Sequence, residues 1–409
     1  MSTLEELIQK LCPNGVEYRP LGEVCKIIRG KGLCKDDIGN GNIPIILYGE
    51  LYTSYGNYIT QIKSSTDIEK VNNSPMIEFT DILLPISSTT KEAKIGKASA
   101  YTLNNKAYLG SDAILLKHHQ NCGFLVHLLN GSWFEKLKMQ CVSGTTINHL
   151  NPSKLSKIKI PIPPIEVQEE IVRILDKFTE LSAELTAELT ARKKQYEFYR
   201  DKLILEQENV EYKTLGEIAT EMYRGSGIKR DELTPEGISC VRYGEIYTTY
   251  DVWFDKCVSH TNEQAITSKK YFENGDILFA ITGESVEEIA KSCAYTGNNK
   301  CLAGGDIVVM KHKQNPKYLA YALSTTDAQR QKSYGKIKSK VVHASVPSIK
   351  LISIPLPPLA VQEKIASILD NFHSLVTDIS EGLPAEIEAR QKQYEYYRDK
   401  LLTFEEIAQ

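Results

Sequence analysis

The sequence predicts an α+β protein with a pseudo-twofold internal repeat: two globular units separated and joined by two long helices that form an antiparallel coiled coil. Two repeated blocks, and the spacing of apolar residues inside them, carry this reading. Pro161–Phe178 (PIPPIEVQEEIVRILDKF) returns as Pro355–Phe372 (PLPPLAVQEKIASILDNF), and Ala191–Ile204 (ARKKQYEFYRDKLI) returns as Ala389–Leu402 (ARQKQYEYYRDKLL). The offset is 194 residues in the first block and 198 in the second, so one copy holds four extra residues, close to one helical turn. The chain therefore divides into 1–160, 161–208, 209–354 and 355–409. Such a duplication points to a partner or target that comes in two halves.

Residues 1–160 and 209–354 match each other more loosely. PLGEVCKIIRGKG (Pro20–Gly32) parallels TLGEIATEMYRGSG (Thr214–Gly227), and YGELYTSY (Tyr48–Tyr55) parallels YGEIYTTY (Tyr243–Tyr250). Short strand-type runs bounded by Gly, Asn and Asp dominate both: IPIIL, DILLPI and AILLK in the first, ISCVRY, DILFAI and DIVVMK in the second. One helix is expected over 124–137 and its counterpart over 318–331. A mixed or antiparallel sheet follows for each unit, without a readable strand order.

Proline is tolerated in a first helical turn, so a helix can start after Pro161, Pro163 and Pro164. Apolar positions Ile171, Ile174, Phe178, Leu181, Leu185, Leu189, Tyr196, Tyr199 and Leu203, with Arg192 among them, form a heptad seam with one extra four-residue step. The second copy has one such step more. Heptads in two separated stretches of one chain argue for an intramolecular helix pair. SAELTAELTAR makes Thr186–Leu189 a candidate length adjuster worth about 6 Å. Gly382 and Pro384 at the matching point predict a kink or break.

The 409 residues are 42% hydrophobic and 25% charged, enough to bury real cores. No apolar stretch reaches membrane-spanning length, and the start MSTLEELIQKL is not a basic-then-apolar leader. Nine scattered cysteines without a CxxC pair argue against a disulfide framework and for a reducing compartment. His118-His119 lacks carboxylate or thiol companions at ligand spacing, so no metal site is expected. The net charge of −3 hides a segregation: +4 and +2 in the two globular units, −4 and −5 in the two helical segments. Different partners for the two kinds of segment are expected.

On these residues (globular unit, PxPPxxxQxxIxxxLDxF with QYxxYRDKL, and the same again) the chain resembles the specificity subunit of type I restriction–modification systems, type IC-like through its TAEL unit. The resemblance covers nearly the whole length, with SAEL standing in for one TAEL. It implies that 1–160 and 209–354 are target recognition domains, each reading half of a bipartite double-stranded DNA target. The helices would be conserved spacers that dock two methyltransferase (modification) subunits, with restriction/translocase subunits in the full complex. It also implies a bacterial or archaeal cytoplasm. No NPPY-type motif and no GxxxxGK[ST] loop is present. The chain is read as non-catalytic, with S-adenosylmethionine, ATP and Mg²⁺ serving partner subunits.

Polar and basic loops supply the DNA-binding candidates, lysine and arginine for phosphates and directional side chains for bases. In the first unit these are Arg29 and Lys31 in a glycine-opened turn, Lys91, Lys94 and Lys97 in the Ser87–Lys97 loop, and Thr145, Thr146, Asn148 and His149 in Ser143–Asn151. In the second they are Arg224, Lys229 and Arg230, then Lys336, Lys338, Lys340 and His343. Glu284 is a further base-reading candidate. Glu180, Glu184 and Glu188 are the candidates for the methyltransferase surface, and Thr186, Leu189, Gly382 and Pro384 for the spacer. The tyrosines of QYEFYRDKL and QYEYYRDKL are expected to pack along the seam. Two alternatives stay open: a protein–protein scaffold without DNA specificity, and a self-contained methyltransferase or nuclease.

Overall fold

The structure, a computed structural model, describes residues 3–88, 94–144, 147–336, 341–377 and 382–407. The chain divides into two compact units. Unit 1 comprises Met1–Thr186 with Glu386–Gln409, and unit 2 comprises Ala187–Ala385.

In unit 1 a two-stranded ribbon, Glu17–Pro20 against Lys159–Ile162, brings the two ends of the globular part together. Its main sheet runs in the order Lys26–Arg29, Ala113–Lys117, Ile82–Pro85, Ser99–Tyr101, Tyr58–Ile59. The last pair is parallel and the others antiparallel. The central strands are buried on both faces, which is why AILLK and DILLPI read as continuous apolar runs and not as alternation. A second, four-stranded sheet is ordered Ser64–Thr66, Ile43–Ile46, Ala107–Leu109, Met76–Ile77.

Unit 2 repeats this plan. Tyr212–Thr214 pairs with Ser353–Pro355, and the main sheet is ordered Ala219–Arg224, Ile307–His312, Ile277–Ala280, Ser292–Tyr295, Trp253–Phe254. Its second sheet has five strands, because Leu233–Thr234 joins at the edge.

Each expected globular helix is in fact two. Cys122–Leu129 and Ser132–Met139 are broken at Asn130-Gly131, and Pro316–Ser324 and Thr326–Ser333 at Thr325. Thr325 is extended (φ −62°, ψ 154°), and its side chain accepts from the Ala328 amide, so it ends one helix and caps the next.

Ile165–Leu205 forms one continuous helix of 41 residues. Inside it the Ser182 and Thr186 hydroxyls donate back to the Phe178 and Ser182 carbonyls. The C-terminal stretch is two helices, Leu359–Thr377 and Leu383–Leu401, with Pro384 in the first turn of the second. Within unit 1 the start of the central helix lies against the end of the chain's last helix, Phe178 stacking on Tyr397 at 5.4 Å. Within unit 2 the end of the central helix lies against Leu359–Thr377, Tyr199 stacking on Phe372 at 6.1 Å. Start against end is the antiparallel arrangement. Of the two seam tyrosines in the central motif, Tyr196 is buried and Tyr199 is 40% exposed.

Candidate nucleic-acid interface

In each unit, polar stretches some sixty residues apart in sequence meet on one small sheet. In unit 1, Ser87–Ser88 follows directly on the buried strand Ile82–Pro85 and pairs antiparallel with Asn148–Leu150, which in turn pairs with Val142–Ser143. In unit 2, Thr282–Gly283 pairs with Val342–His343. Gly144 turns the first hairpin at φ +132°, where a Cβ would stand 1.9 Å from the Ile147 carbonyl oxygen, so the turn requires glycine.

A histidine faces a hydroxyl on both sheets. Ser87 Oγ lies 3.0 Å from His149 Nδ1, and Thr282 Oγ1 lies 3.2 Å from His343 Nδ1. Ser87 has one proton and gives it to Asp112 Oδ1 at 2.9 Å. His149 Nδ1 is then the donor, and in that tautomer the exposed ring presents Nε2 as an acceptor. That is the polarity needed to take a hydrogen bond from a base amine in the major groove.

The remaining candidates are placed unevenly. Asn148 is half-buried beside His149, while Lys94, Lys229 and Arg230 are exposed. Lys97 is half-buried, and its ammonium is held by the Tyr55 carbonyl. Lys336 donates to the His343 carbonyl at 2.7 Å. The guanidinium of Arg224 is taken by Asp306 and the Gly305 carbonyl. Arg29 and Lys31 are exposed, but the glycine between them serves the protein's own backbone: a Cβ at Gly30 would lie 1.9 Å from the Gly110 oxygen. Lys91, Thr145, Thr146, Lys338 and Lys340 lie outside the described residues. Tyr334, passed over in the sequence in favour of the neighbouring lysines, is 87% exposed. Glu180, Glu184 and Glu188 are exposed on the central helix, Glu188 with Arg192 at 3.4 Å. Among the described residues no three His, Cys, Asp or Glu side chains converge as a metal site, and all nine cysteines are free.

Several polar residues that recur in both helical blocks are bonded to a globular unit. Gln168, 1% exposed, accepts from the Asn121 amide at 3.0 Å and donates to Gln120 and the Pro163 carbonyl. Gln362 makes the same three bonds to Asn315, Gln314 and Pro357. Asp399 accepts from the Ser132 amide at 3.1 Å and so caps the helix that Gly131 cannot cap with a side chain. Asp201 does the same for Thr326 at 3.1 Å. Asp176 and Asp370 make a third contact in each unit. Sequence reading missed these anchors because polar side chains in a heptad pattern read as solvent-facing. Their identity in both blocks was the available signal.

The profile of the type I restriction modification DNA specificity domain matches residues 13–192 and again residues 207–389. The chain belongs to this family. It is 31% identical to the EcoR124I/EcoR124II specificity subunit of Escherichia coli over 99% of this chain and 97% of that one. It is 29% identical to a putative type I restriction enzyme specificity subunit of Haemophilus influenzae, covering 98% of each. A solved chain from a type I restriction–modification system shares the fold over 95% of this chain and 98% of that one, with a TM-score of 0.65 at 14% identity. The two small sheets with their opposed histidines are thus features of a specificity subunit with two recognition domains. No helix among the described residues is long and apolar enough to cross a membrane.

Proposed function

We propose that each unit of this specificity subunit reads one half of a bipartite double-stranded DNA target through its small sheet, while the helical segments carry two methyltransferase subunits. The observation that carries the reading is a kept scaffold with altered readers. The ribbons, the five-stranded main sheets and the anchor positions coincide between the units. The paired readers differ: Ser87 and Asn148-His149 in one, Thr282 and Val342-His343 in the other. Methyl transfer from S-adenosylmethionine and ATP- and Mg²⁺-dependent translocation and cleavage fall to partner subunits, in a bacterial or archaeal cytoplasm.

Mapping methylated sites across the genome of a host that expresses the whole system tests this. The expected result is a two-part motif with an unread gap. Deleting Thr186–Leu189 removes about 6 Å of helix and should shorten the gap by one or two base pairs, at about 3.4 Å each. Both half-sites should stay unchanged. His149→Ala should relax one half-site only and His343→Ala the other, each by roughly 1–3 kcal/mol of discrimination. An assembled complex that shifts random DNA as readily as the motif would favour the protein scaffold instead.

A further inference from the structure

The aspartate of the LDxF motif is gripped by its recognition unit in both halves, and by different donors in each. In unit 1 the Tyr58 hydroxyl donates to Asp176 at 2.9 Å, and His127 Nε2 lies 2.8 Å from Oδ1. In unit 2 Asp370 accepts from Tyr321 at 2.7 Å, Lys317 Nζ at 2.7 Å and Trp253 Nε1 at 3.1 Å. Trp253 and Tyr321 stand where the repeat has Tyr58 and His127. Every donor has changed, and the carboxylate has stayed.

The grip ties separate elements to one point. Tyr58 comes from the edge strand of the main sheet, His127 from the helix Cys122–Leu129, and Asp176 from the central helix. His127 is fully buried, and its other ring nitrogen lies 2.9 Å from the Tyr394 hydroxyl, so the last helix joins the same cluster. Hydrogen bonds to a carboxylate are among the stronger ones available and are directional. The Gln168 anchor sits eight residues earlier, about 12 Å along the axis. Ile171 and Leu175 pack into the unit's core between these points, but apolar contact is non-directional and leaves the unit some freedom to rotate against the helix. A second fixed point along the helix removes that freedom. A base pair adds about 3.4 Å of rise and about 34° of turn, so a swing of a few ångströms at the DNA is enough to blur the register by one pair.

We propose that Asp176 and Asp370 are positioning residues for target specificity: each fixes the angle of one recognition unit on its helix, and so the single number of unread base pairs between half-sites. This rests on the bipartite reading above, and the test separates the two.

The assembled enzyme with its modification subunits would be expressed with Asp176→Ala, Asp370→Ala or Tyr58→Phe, and methylated sites mapped genome-wide. The expected result is unchanged half-sites with a broadened gap: sites one pair longer or shorter should rise to at least about a tenth of the total. Asp176→Asn, which keeps acceptor oxygen, should broaden the gap less. The Thr186–Leu189 deletion is the control, since it should move the gap to one new value without broadening it. If methylation falls at all sites alike while the gap stays single, the aspartates are structural only and the proposal is overturned. Where an alanine variant yields no assembly, Tyr58→Phe decides, because it removes one donor and keeps the ring. A single gap there also overturns the proposal. If the parent enzyme methylates a continuous motif or none, the bipartite reading itself fails.

Discussion

The two units bury a lysine at the same place in the repeat and treat it differently. Lys138 in unit 1 is fully buried, donates to the Gly96 carbonyl at 3.1 Å and pairs with Glu135 at 2.5 Å. Lys332 in unit 2 has, among the described residues, only neutral acceptors, the Leu323 carbonyl at 2.7 Å and Ser292 Oγ at 3.2 Å. Where Glu135 stands in unit 1, unit 2 has Gln329, whose amide is turned to the Ile289 carbonyl. Burial lowers both lysines; Glu135 opposes this for Lys138, whereas the nearby Arg200 and Lys291 add to it and Lys332 is pushed down to about 7. The duplicated fold thus keeps the shape of its scaffold more strictly than the charge compensation inside it.

The largest effect is expected where the units agree most closely. Gly30 and Gly225 each approach a carbonyl of the strand connection beside them, with a Cβ placed 1.9 Å from the Gly110 oxygen and 2.2 Å from the Gly304 oxygen. Backbone blocks both positions, so no side-chain rearrangement relieves an added methyl. Gly30→Ala and Gly225→Ala should each destabilise their own unit by about 3 kcal/mol, read as lost hydrogen-exchange protection in that unit's main sheet. Equal losses would confirm a shared backbone plan. A tolerated alanine in one unit would show that the units differ in backbone as well as in side chains.

Smaller, and different between the units, is the response to pH. Lys332 has a folded pKa near 7, against an unfolded value of about 10.4. Between these values the unfolded chain binds more protons, so the penalty for burying this lysine is present in full below pH 7 and is relieved as pH rises toward 10. Lys332→Met should therefore stabilise unit 2 most at pH 6, its advantage over the parent shrinking by up to about 1.4 kcal/mol per pH unit between pH 7 and 10. Urea unfolding at a series of pH values would show this, and a constant difference would contradict it. Glu135→Gln would remove from unit 1 the carboxylate that unit 2 lacks at this position. Because Glu135 is about a third exposed, the loss at pH 7 should be only about 1–2 kcal/mol. It should carry with it the alkaline-side recovery expected of unit 2.

The difference between kept scaffold and altered interior also marks what could be read from sequence. The duplication, the long helices and the central strands are local patterns, and apolar runs such as DILLPI and DILFAI report their own burial. Partners distant in the chain leave no such trace. Ser87 and His149 belong to loops that look independent until the strand register joins them. The expected single helix over 124–137 breaks at Asn130-Gly131, and the group that caps the second piece comes from Asp399, far along the chain. Arg224 looks like a free cation until Asp306 is placed beside it. The repeated Gln, Asp and Arg-Asp of the helical blocks look like a surface shared by two identical partners. Several of them instead grip a globular unit: Gln168 and Asp176 hold the one that precedes their block, while Asp201 and Asp399 each hold the one from the other repeat.

That narrows what is left for partners to touch and leads to the smallest expected effect on the fold. Once the anchors are set aside, the exposed acidic positions Glu180, Glu184 and Glu188 lie on a part of the central helix with no matching TAEL run in the C-terminal copy. Exposed carboxylates contribute little to stability, and even the Glu188–Arg192 pair should be worth no more than about 0.5 kcal/mol. Replacing all three glutamates by glutamine should leave the unfolding midpoint almost unchanged. If these carboxylates meet a methyltransferase subunit, the same variant should weaken assembly, mainly through the association rate and its salt dependence, since charges at a rim steer encounter more than they hold a complex. Titrating modification subunits onto parent and variant at two salt concentrations separates the outcomes. An unchanged affinity and salt slope would place the docking surface elsewhere, with the exposed aromatic at the same point of both repeats, Phe198 and Tyr396 at 60% and 61% exposure, as the next position to substitute.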